Sequence, residues 1–372
     1  MSICSKKTVG YLTYLFLVIF FGTELFLQFI TDKNDNFYIF PPNQKFLRVT
    51  NPDFTPGVYR DAYFEANEFG IRADSYDRKF KKNILILGGS TAIDEFLHQE
   101  LTWANQLQMI LNTSVHWNPT WVGNLGKSAR HSGHHLDYMQ RIVPYMPKPD
   151  YILILLGAND LQLALRSSYR NLNADEELMF NYAVHPDTSF VSNFGIYRFY
   201  RKMKLWRLRE KYAFVSGSEG IKIWRECRQS VKEARHINIL PDAKKQHQYM
   251  KDNLQEIVSL AQSYNAEVIL ITQPTLWNVA STNAEKSLLI SGGVGPNTSW
   301  CKEKKYYSLG ALTKGISAIN QITRDFCSEN KLKCIDLARL LPPSTEYFFD
   351  DMHFNEDGAH RVAEIIAHNL ME

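Results

Sequence analysis

The chain is poor in the residues that mark non-globular or metal-stapled proteins. It has only 19 glycines and 14 prolines in 372 residues, which excludes a collagen-like or low-complexity chain. Its 5 cysteines include no C-x-x-C pair, which argues against a zinc site of that kind and against a thioredoxin-like redox centre. Charge of one sign is not in excess: 42 Lys and Arg against 39 Asp and Glu leave a net +3. That balance gives no reason to expect a nucleic-acid partner. What is abundant is apolar, at 45% hydrophobic residues, enough to exclude disorder and to fill a large core. The length exceeds the ~100–200 residues usual for one domain, which implies one domain enlarged by insertions or two small ones.

A mean hydropathy of −0.30 conceals one long apolar run. From Val9 to Ile30 the chain reads VGYLTYLFLVIFFGTELFLQFI, with Glu24 as its single formal charge. The run matches the ~20 residues that cross a bilayer core as a helix. It is longer than the ~7–15-residue apolar stretch of a cleaved signal peptide, and no A-x-A-like site follows, so residues 9–30 are expected to be a retained transmembrane anchor. Lys6 and Lys7 precede the run and only Lys33, beside Asp32 and Asp35, follows closely. The positive-inside rule then puts residues 1–8 in the cytoplasm and the rest outside, in a periplasmic or extracellular space. Glu24 lies toward the outer end of the run, where it is expected to stay protonated or reach the interface rather than pair with another helix. Cys4 sits where a palmitoyl group could be attached. The other four cysteines would lie in a compartment that permits disulfides. Cys327 and Cys334 are close enough for a local bridge, leaving Cys227 and Cys301, although other pairings and free thiols stay open.

Beyond the polar lead-in of residues 31–82, short apolar runs alternate with helix-periodic segments. Strands are expected at Asn83–Gly88, Trp117–Leu125, Tyr151–Leu156, Ala266–Ile271 and Lys333–Leu337, with helices over Leu101–Leu111, His134–Tyr145, the stripe Met250–Ala261 and Leu312–Cys327. This alternation predicts an α/β domain over residues 83–372 with a mostly parallel five-stranded sheet covered on both faces. Residues 167–240 and 277–306 break the rhythm and read as insertions. In the first, Arg198 to Lys211 interleaves basic and aromatic residues; it reads as a helix with a solvated basic face packed on the main domain, with an anionic glycan or a membrane surface as the alternative contact.

In such sheets the strand ends carry function. The first strand runs into Gly88-Gly89-Ser90, the second ends at Asn124-Leu125-Gly126, the third at Gly157-Ala158-Asn159-Asp160, and Asp350-Asp351-Met352-His353 precedes the last helix. A serine nucleophile needs a base, and the base needs an acid to hold its tautomer; Ser90, His353 and Asp350 supply these roles. The backbone N–H groups of Ser90 and Gly126 and the Asn159 amide are candidates for an oxyanion hole. Asp351 is the nearest substitute for Asp350. His131, His134 and His135 lack ligand spacing and read as surface or site-lining residues, and His360 as a packed or exposed helix residue. Gly126-Lys127-Ser128 is not a phosphate loop, because Trp121 stands where the earlier glycine is required. Gly88-x-Ser90-x-Ala92 nearly fits the nucleophile elbow of α/β-hydrolases, but an acid three residues before the histidine argues against that fold.

These four blocks resemble, in order, those of the SGNH (GDSL-like) esterases and acyltransferases: the serine after the first strand, the glycine after the second, the asparagine of a G-x-N-D motif and the histidine of a D-x-x-H motif. The similarity covers about Asn83 to Leu370 outside the insertions. Gly89 departs from it, standing where the family has the aspartate of GDSL, and Asn67–Arg72 looks like a lead-in of membrane-anchored bacterial members. The resemblance implies a flavodoxin-like three-layer α/β/α fold and a serine ester hydrolase that acts on O-acyl esters, with no cofactor and no metal. An external location and a basic, aromatic insertion suggest cell-envelope glycans as the ester-bearing partner. The same residues would serve an O-acyltransferase, and a non-catalytic glycan-binding or scaffold protein is the reading from another class.

Overall fold

The computed structural model describes residues 6–31, 39–40, 42–166, 190–200, 203, 218–294 and 305–372. The chain forms two compact units, Met1–Phe37 with Leu178–Val215 and Tyr38–Glu177 with Ser216–Glu372.

The first unit is built on helix α1 (Lys6–Ile30). Within it Thr8–Ile30, 23 residues that include an 18-residue window of mean hydropathy 1.8, is long and apolar enough to cross a membrane. Glu24 departs from expectation. It is buried, and it accepts hydrogen bonds from the backbone N–H groups of Gly195 and Ile196, the first two residues of a helical turn in the first insertion. Arg198 departs too, being buried rather than part of a solvated face. Most of the basic stretch that follows lies outside the described residues.

In the second unit, β1 (Lys45–Arg48) and β2 (Ala62–Glu65) pair antiparallel. There follow β3 (Lys82–Gly88), α2 (Ser90–Ile93), α3 (Trp103–Leu111), β4 (Thr120–Asn124), α4 (Ser132–Arg141), β5 (Tyr151–Leu155) and α5 (Ala158–Arg166). After the first insertion come α6 (Ser218–Glu233), β6 (Arg235–Ile237), α7 (Lys244–Ser263), β7 (Glu267–Ile271), β8 (Lys305–Tyr307), α8 (Leu309–Asn330), β9 (Lys333–Ile335) and α9 (Glu356–Met371). The central sheet has five parallel strands in the order β4-β3-β5-β7-β9. Ile84–Leu87, Ile152–Leu155 and Val268–Ile271 are buried without alternation, as parallel strands covered on both faces require. Helix α3 packs on α9, α4 on α7, and α5 on both α7 and α8, which gives the three layers. The α7 stripe of Met250, Leu254, Ile257, Val258 and Ala261 is buried, as its spacing predicts.

Boundaries moved where capping or proline intervened. Helix α3 begins after Thr102, whose hydroxyl accepts from the Asn105 N–H at 3.2 Å. Helix α4 starts two residues early because His131 and His134 form a capping box. Strand β4 begins only at Thr120, after Pro119. The lead-in from Tyr38 onward belongs to the same unit as the sheet, and Arg72 bridges Asn124 through paired backbone bonds of 3.2 and 3.3 Å, adding an antiparallel neighbour to edge strand β4. The two insertions meet in a small parallel sheet, β6 with β8. Cys327 and Cys334 are disulfide-bonded with a Cα–Cα distance of 6.0 Å. Cys227 is also in a disulfide; Cys301 lies outside the described residues.

Candidate active site

Strand order reverses around β3, since β4 lies on one side of it and β5 on the other; ligands of open α/β sheets bind at the carboxyl ends of strands where this happens. Ser90 begins the single turn of α2 immediately beyond β3 and is half-buried. Gly88 passes so close to β5 that a Cβ there would lie 2.7 Å from the Leu155 carbonyl oxygen. The turn is clamped from several directions. The Thr91 hydroxyl donates to Gln273 at 3.0 Å and the Trp103 indole donates to the Thr91 carbonyl at 3.0 Å. At its far end Asp94 is left-handed (φ 51°), and the buried Arg72 guanidinium donates to the carbonyls of Ile93 (2.8 Å), Asp94 (2.7 Å) and Leu97 (2.7 Å). Burial lowers the pKa of Arg72 to about 10 and pushes the Asp94 carboxyl up to about 7. The lead-in arginine thus braces the serine turn, a role that its sequence position gave no way to assign.

Asn159 stands in the first turn of α5, and its amide donates to the Arg130 carbonyl at 2.9 Å, so one N–H is spent on orientation and a second remains. This position accounts for Gly89: a Cβ there would collide with Asn159 Nδ2. In this chain a side chain at position 89 would push the asparagine amide from the place it takes beside the serine turn. Gly126 is equally crowded, since a Cβ would lie 2.8 Å from both the Ile93 nitrogen and Asn124 Oδ1. Its N–H, however, is donated to Asn124 Oδ1 at 2.9 Å, and the Asn124 amide in turn holds the Ala92 carbonyl at 2.7 Å.

His353 and Asp350 lie in the loop before α9. Asp350 is fully buried; its Oδ1 accepts from the N–H groups of Met352 (2.9 Å) and His353 (2.8 Å), and its Oδ2 is 2.6 Å from His353 Nδ1. Asp351 faces elsewhere, accepting from the Trp277 indole (2.7 Å) and from the N–H groups of Ile290 (2.6 Å) and Ser291 (3.1 Å). Burial, then the neighbouring Asp350, raises its pKa to about 6. Burial opposes protonation of His353, but the charge and hydrogen bond of Asp350, with Glu95 and Asp351 behind it, outweigh burial and hold the imidazole above its ordinary pKa. The ring stacks on Phe349 with centroids 5.6 Å apart and lies 6.3 Å from Phe96.

Sequence reasoning missed the group beside this histidine. Glu95 bonds Arg48 at 3.2 Å and accepts from the Ser128 hydroxyl at 2.7 Å, while the Arg48 guanidinium lies 4.4 Å from the centre of the Phe96 ring. Burial would raise the Glu95 carboxyl, but Arg48 and then Ser128 keep it below its ordinary pKa. Only adjacency to the Ser90 turn could have signalled Glu95 and Phe96.

The remaining candidates have other partners. His131 and His134 cap α4, and His135 is fully buried rather than at the surface, its pKa depressed to about 3 by burial. Lys127 Nζ donates to the Ile39 carbonyl at 2.7 Å. His360 is exposed on α9, 2.6 Å from Gln106.

The family model of the GDSL-like lipases and acylhydrolases matches residues 86–361. No curated protein matches the chain. Among solved structures, a G-D-S-L family lipolytic protein of Desulfitobacterium hafniense is similar at 11% identity, covering 78% of this chain and 99% of its own, with a TM-score of 0.40. The lipase/acylhydrolase of Enterococcus faecalis gives 15%, 78%, 95% and 0.41. An acetylxylan esterase of Geobacillus stearothermophilus gives 11%, 78%, 94% and 0.41. With its four motif blocks in order on a five-stranded parallel sheet, and the family model spanning most of its length, the chain belongs to the GDSL-like lipase/acylhydrolase (SGNH) family.

Proposed function

We propose that this chain is a serine ester hydrolase. Ser90 Oγ attacks the acyl carbonyl while its proton passes to His353 Nε2; the ester C–O bond then breaks and the same proton goes to the leaving alkoxide, leaving an acyl-serine. Water adds to that acyl group, His353 taking and returning a proton, and the carboxylic acid leaves with Ser90 restored. Asp350 holds the Nδ1–H tautomer and stabilises the imidazolium. The oxyanion is received by the Ser90 N–H and the free N–H of Asn159. Gly126 joins them only if its N–H turns away from Asn124, so it is the third donor in this assignment. The observation that carries the proposal is the Asp350–His353 pair, fixed at 2.6 Å with the other carboxylate oxygen held by two backbone donors.

The substrate class is an O-acyl ester, and cell-envelope glycans are the bearer that best suits an anchored, outward-facing unit. In this reading the anchor is Thr8–Ile30, and the positive-inside rule puts the catalytic unit on the external side. The test is hydrolysis of p-nitrophenyl acetate by the full chain in detergent, beside Ser90→Ala. Equal rates would overturn the serine mechanism. Acyl transfer to an added sugar in place of acid release would make the protein an acyltransferase.

A further inference from the structure

Glu24 is the one formal charge in the apolar run, and an isolated carboxylate at such a place is costly. In this structure it has three donors: the N–H groups of Gly195 (2.6 Å) and Ile196 (3.0 Å) and the Gln28 amide (2.8 Å). The first two are the orphan N–H groups that open a helix, so Glu24 serves as an N-terminal cap supplied by another segment. One turn on, buried Arg198 donates to the Thr31 hydroxyl (3.0 Å), the Thr31 carbonyl (3.2 Å) and the Gln28 side chain (3.2 Å), and to its own segment at the Asn193 carbonyl (3.0 Å). Gly195 lies against the helix backbone itself: a Cβ there would be 2.5 Å from the Gln28 nitrogen and 2.6 Å from the Leu27 carbonyl carbon. Close backbone approach through a glycine is how helices pack within membranes.

With Glu24 and Arg198 satisfied internally, what this segment turns outward is mostly apolar, Asn193 being its one described exposed polar residue. Phe190, Phe194, Phe199 and Tyr200 are exposed, as are Phe26 and Phe29 at the end of α1. Aromatic residues favour the boundary between hydrocarbon and headgroups. The sequence continues with Arg201, Lys202, Lys204, Arg207, Arg209 and Lys211, cations that anionic headgroups attract.

We propose that residues 190–200 are a second membrane-contacting element, seated on the outer end of the α1 span through Glu24, Gly195 and Arg198, whose aromatic side chains enter the headgroup layer of an anionic bilayer. The proposal rests on the reading of α1 as a membrane span. It explains why a carboxylate stands near the end of the apolar run: it is the socket for the insertion.

The test incorporates p-benzoylphenylalanine, one site at a time, at Phe16 in the span, at Phe199 and at Tyr59, exposed in the other unit. The full chain is reconstituted in vesicles of phosphatidylglycerol and phosphatidylcholine and irradiated. Lipid adducts are expected at Phe16 and Phe199 in comparable yield, and at least tenfold less at Tyr59. Gly195→Leu and Glu24→Ala should each cut the Phe199 lipid adduct threefold or more while leaving the Phe16 adduct unchanged, which also reports that the span is still inserted. Lipid adducts at Phe16 with none at Phe199, or Phe199 adducts to protein instead, would overturn the proposal while leaving the anchor intact. Absence of lipid adducts at Phe16 would overturn the anchor itself, and this proposal with it.

Discussion

Replacing Asp350 by asparagine changes one atom, and the surroundings dictate how the new side chain must lie. Two backbone donors, the N–H groups of Met352 and His353, point at Oδ1, while Oδ2 faces His353 Nδ1 at 2.6 Å. The amide oxygen of the substituted side chain must therefore take the Oδ1 place, which turns its NH2 group toward the imidazole. The opposite orientation would set the NH2 against two N–H donors and leave both unpaired, at about 1–3 kcal/mol each. Facing a donor, Nδ1 must accept, so the ring proton moves to Nε2, the nitrogen that removes the Ser90 proton in the proposed mechanism. A base in the wrong tautomer costs about 10⁴ in kcat in triads of this kind, or about 5 kcal/mol of transition-state stabilisation. Steady-state hydrolysis of p-nitrophenyl acetate by the full chain in detergent should show that loss in kcat, with KM changed less than threefold because Asp350 is buried away from substrate. Asp351→Asn is the control: it loosens the contacts to Trp277, Ile290 and Ser291 but leaves the His353 tautomer alone, so kcat should stay within tenfold. A folded Asp350→Asn protein retaining more than a tenth of the parental kcat would refute the reasoning.

Four further outcomes follow from the same geometry. Gly89→Ala should lower kcat by about 10²–10³ with little change in KM, because the added methyl displaces the Asn159 amide; parental kcat would mean that this amide is not an oxyanion donor. The acid limb of kcat/KM should have its midpoint above 6.5, the ordinary imidazole value, because His353 must be neutral to act, and Glu95→Gln should move that midpoint down. The same raised pKa means that His353 stabilises the fold below pH 6.5, an advantage lost as pH rises through the folded-state value, which denaturant titrations of parent and His353→Gln across that range would read. Arg72→Met should cost about 3 kcal/mol or more in chemical denaturation, since it strands the buried carbonyls of Ile93, Asp94 and Leu97.

The sheet was legible because its three central strands are continuous apolar runs. Ile84–Leu87, Ile152–Leu155 and Val268–Ile271 have no polar face to confuse with a helix, and glycine or a turn ends each one. The four motif blocks were legible for a related reason: each stands within a few residues of a strand end or a helix start, so local order already carries the spatial order. What stayed hidden depends on partners distant in sequence. Arg72 reads as an ordinary charge until its carbonyl acceptors on the serine turn are seen, and Glu24 reads as an isolated defect until Gly195, 171 positions away, is laid against it. Gly89 looks like a lapse from the family motif until Asn159 occupies the space a side chain would need. The N–H of Gly126 shows the converse, because its position after β4 suggested a free donor and only the structure reveals that Asn124 holds it.

The central claim is that Ser90 is the nucleophile, and covalent labelling tests it most directly. The full chain in detergent should react with a fluorophosphonate at one site, and peptide mass spectrometry should locate the adduct on Ser90. Labelling should vanish in Ser90→Ala and fall at least a hundredfold in rate in His353→Ala. Ester hydrolysis that persists in Ser90→Ala, or an adduct on any residue other than Ser90, would contradict the account.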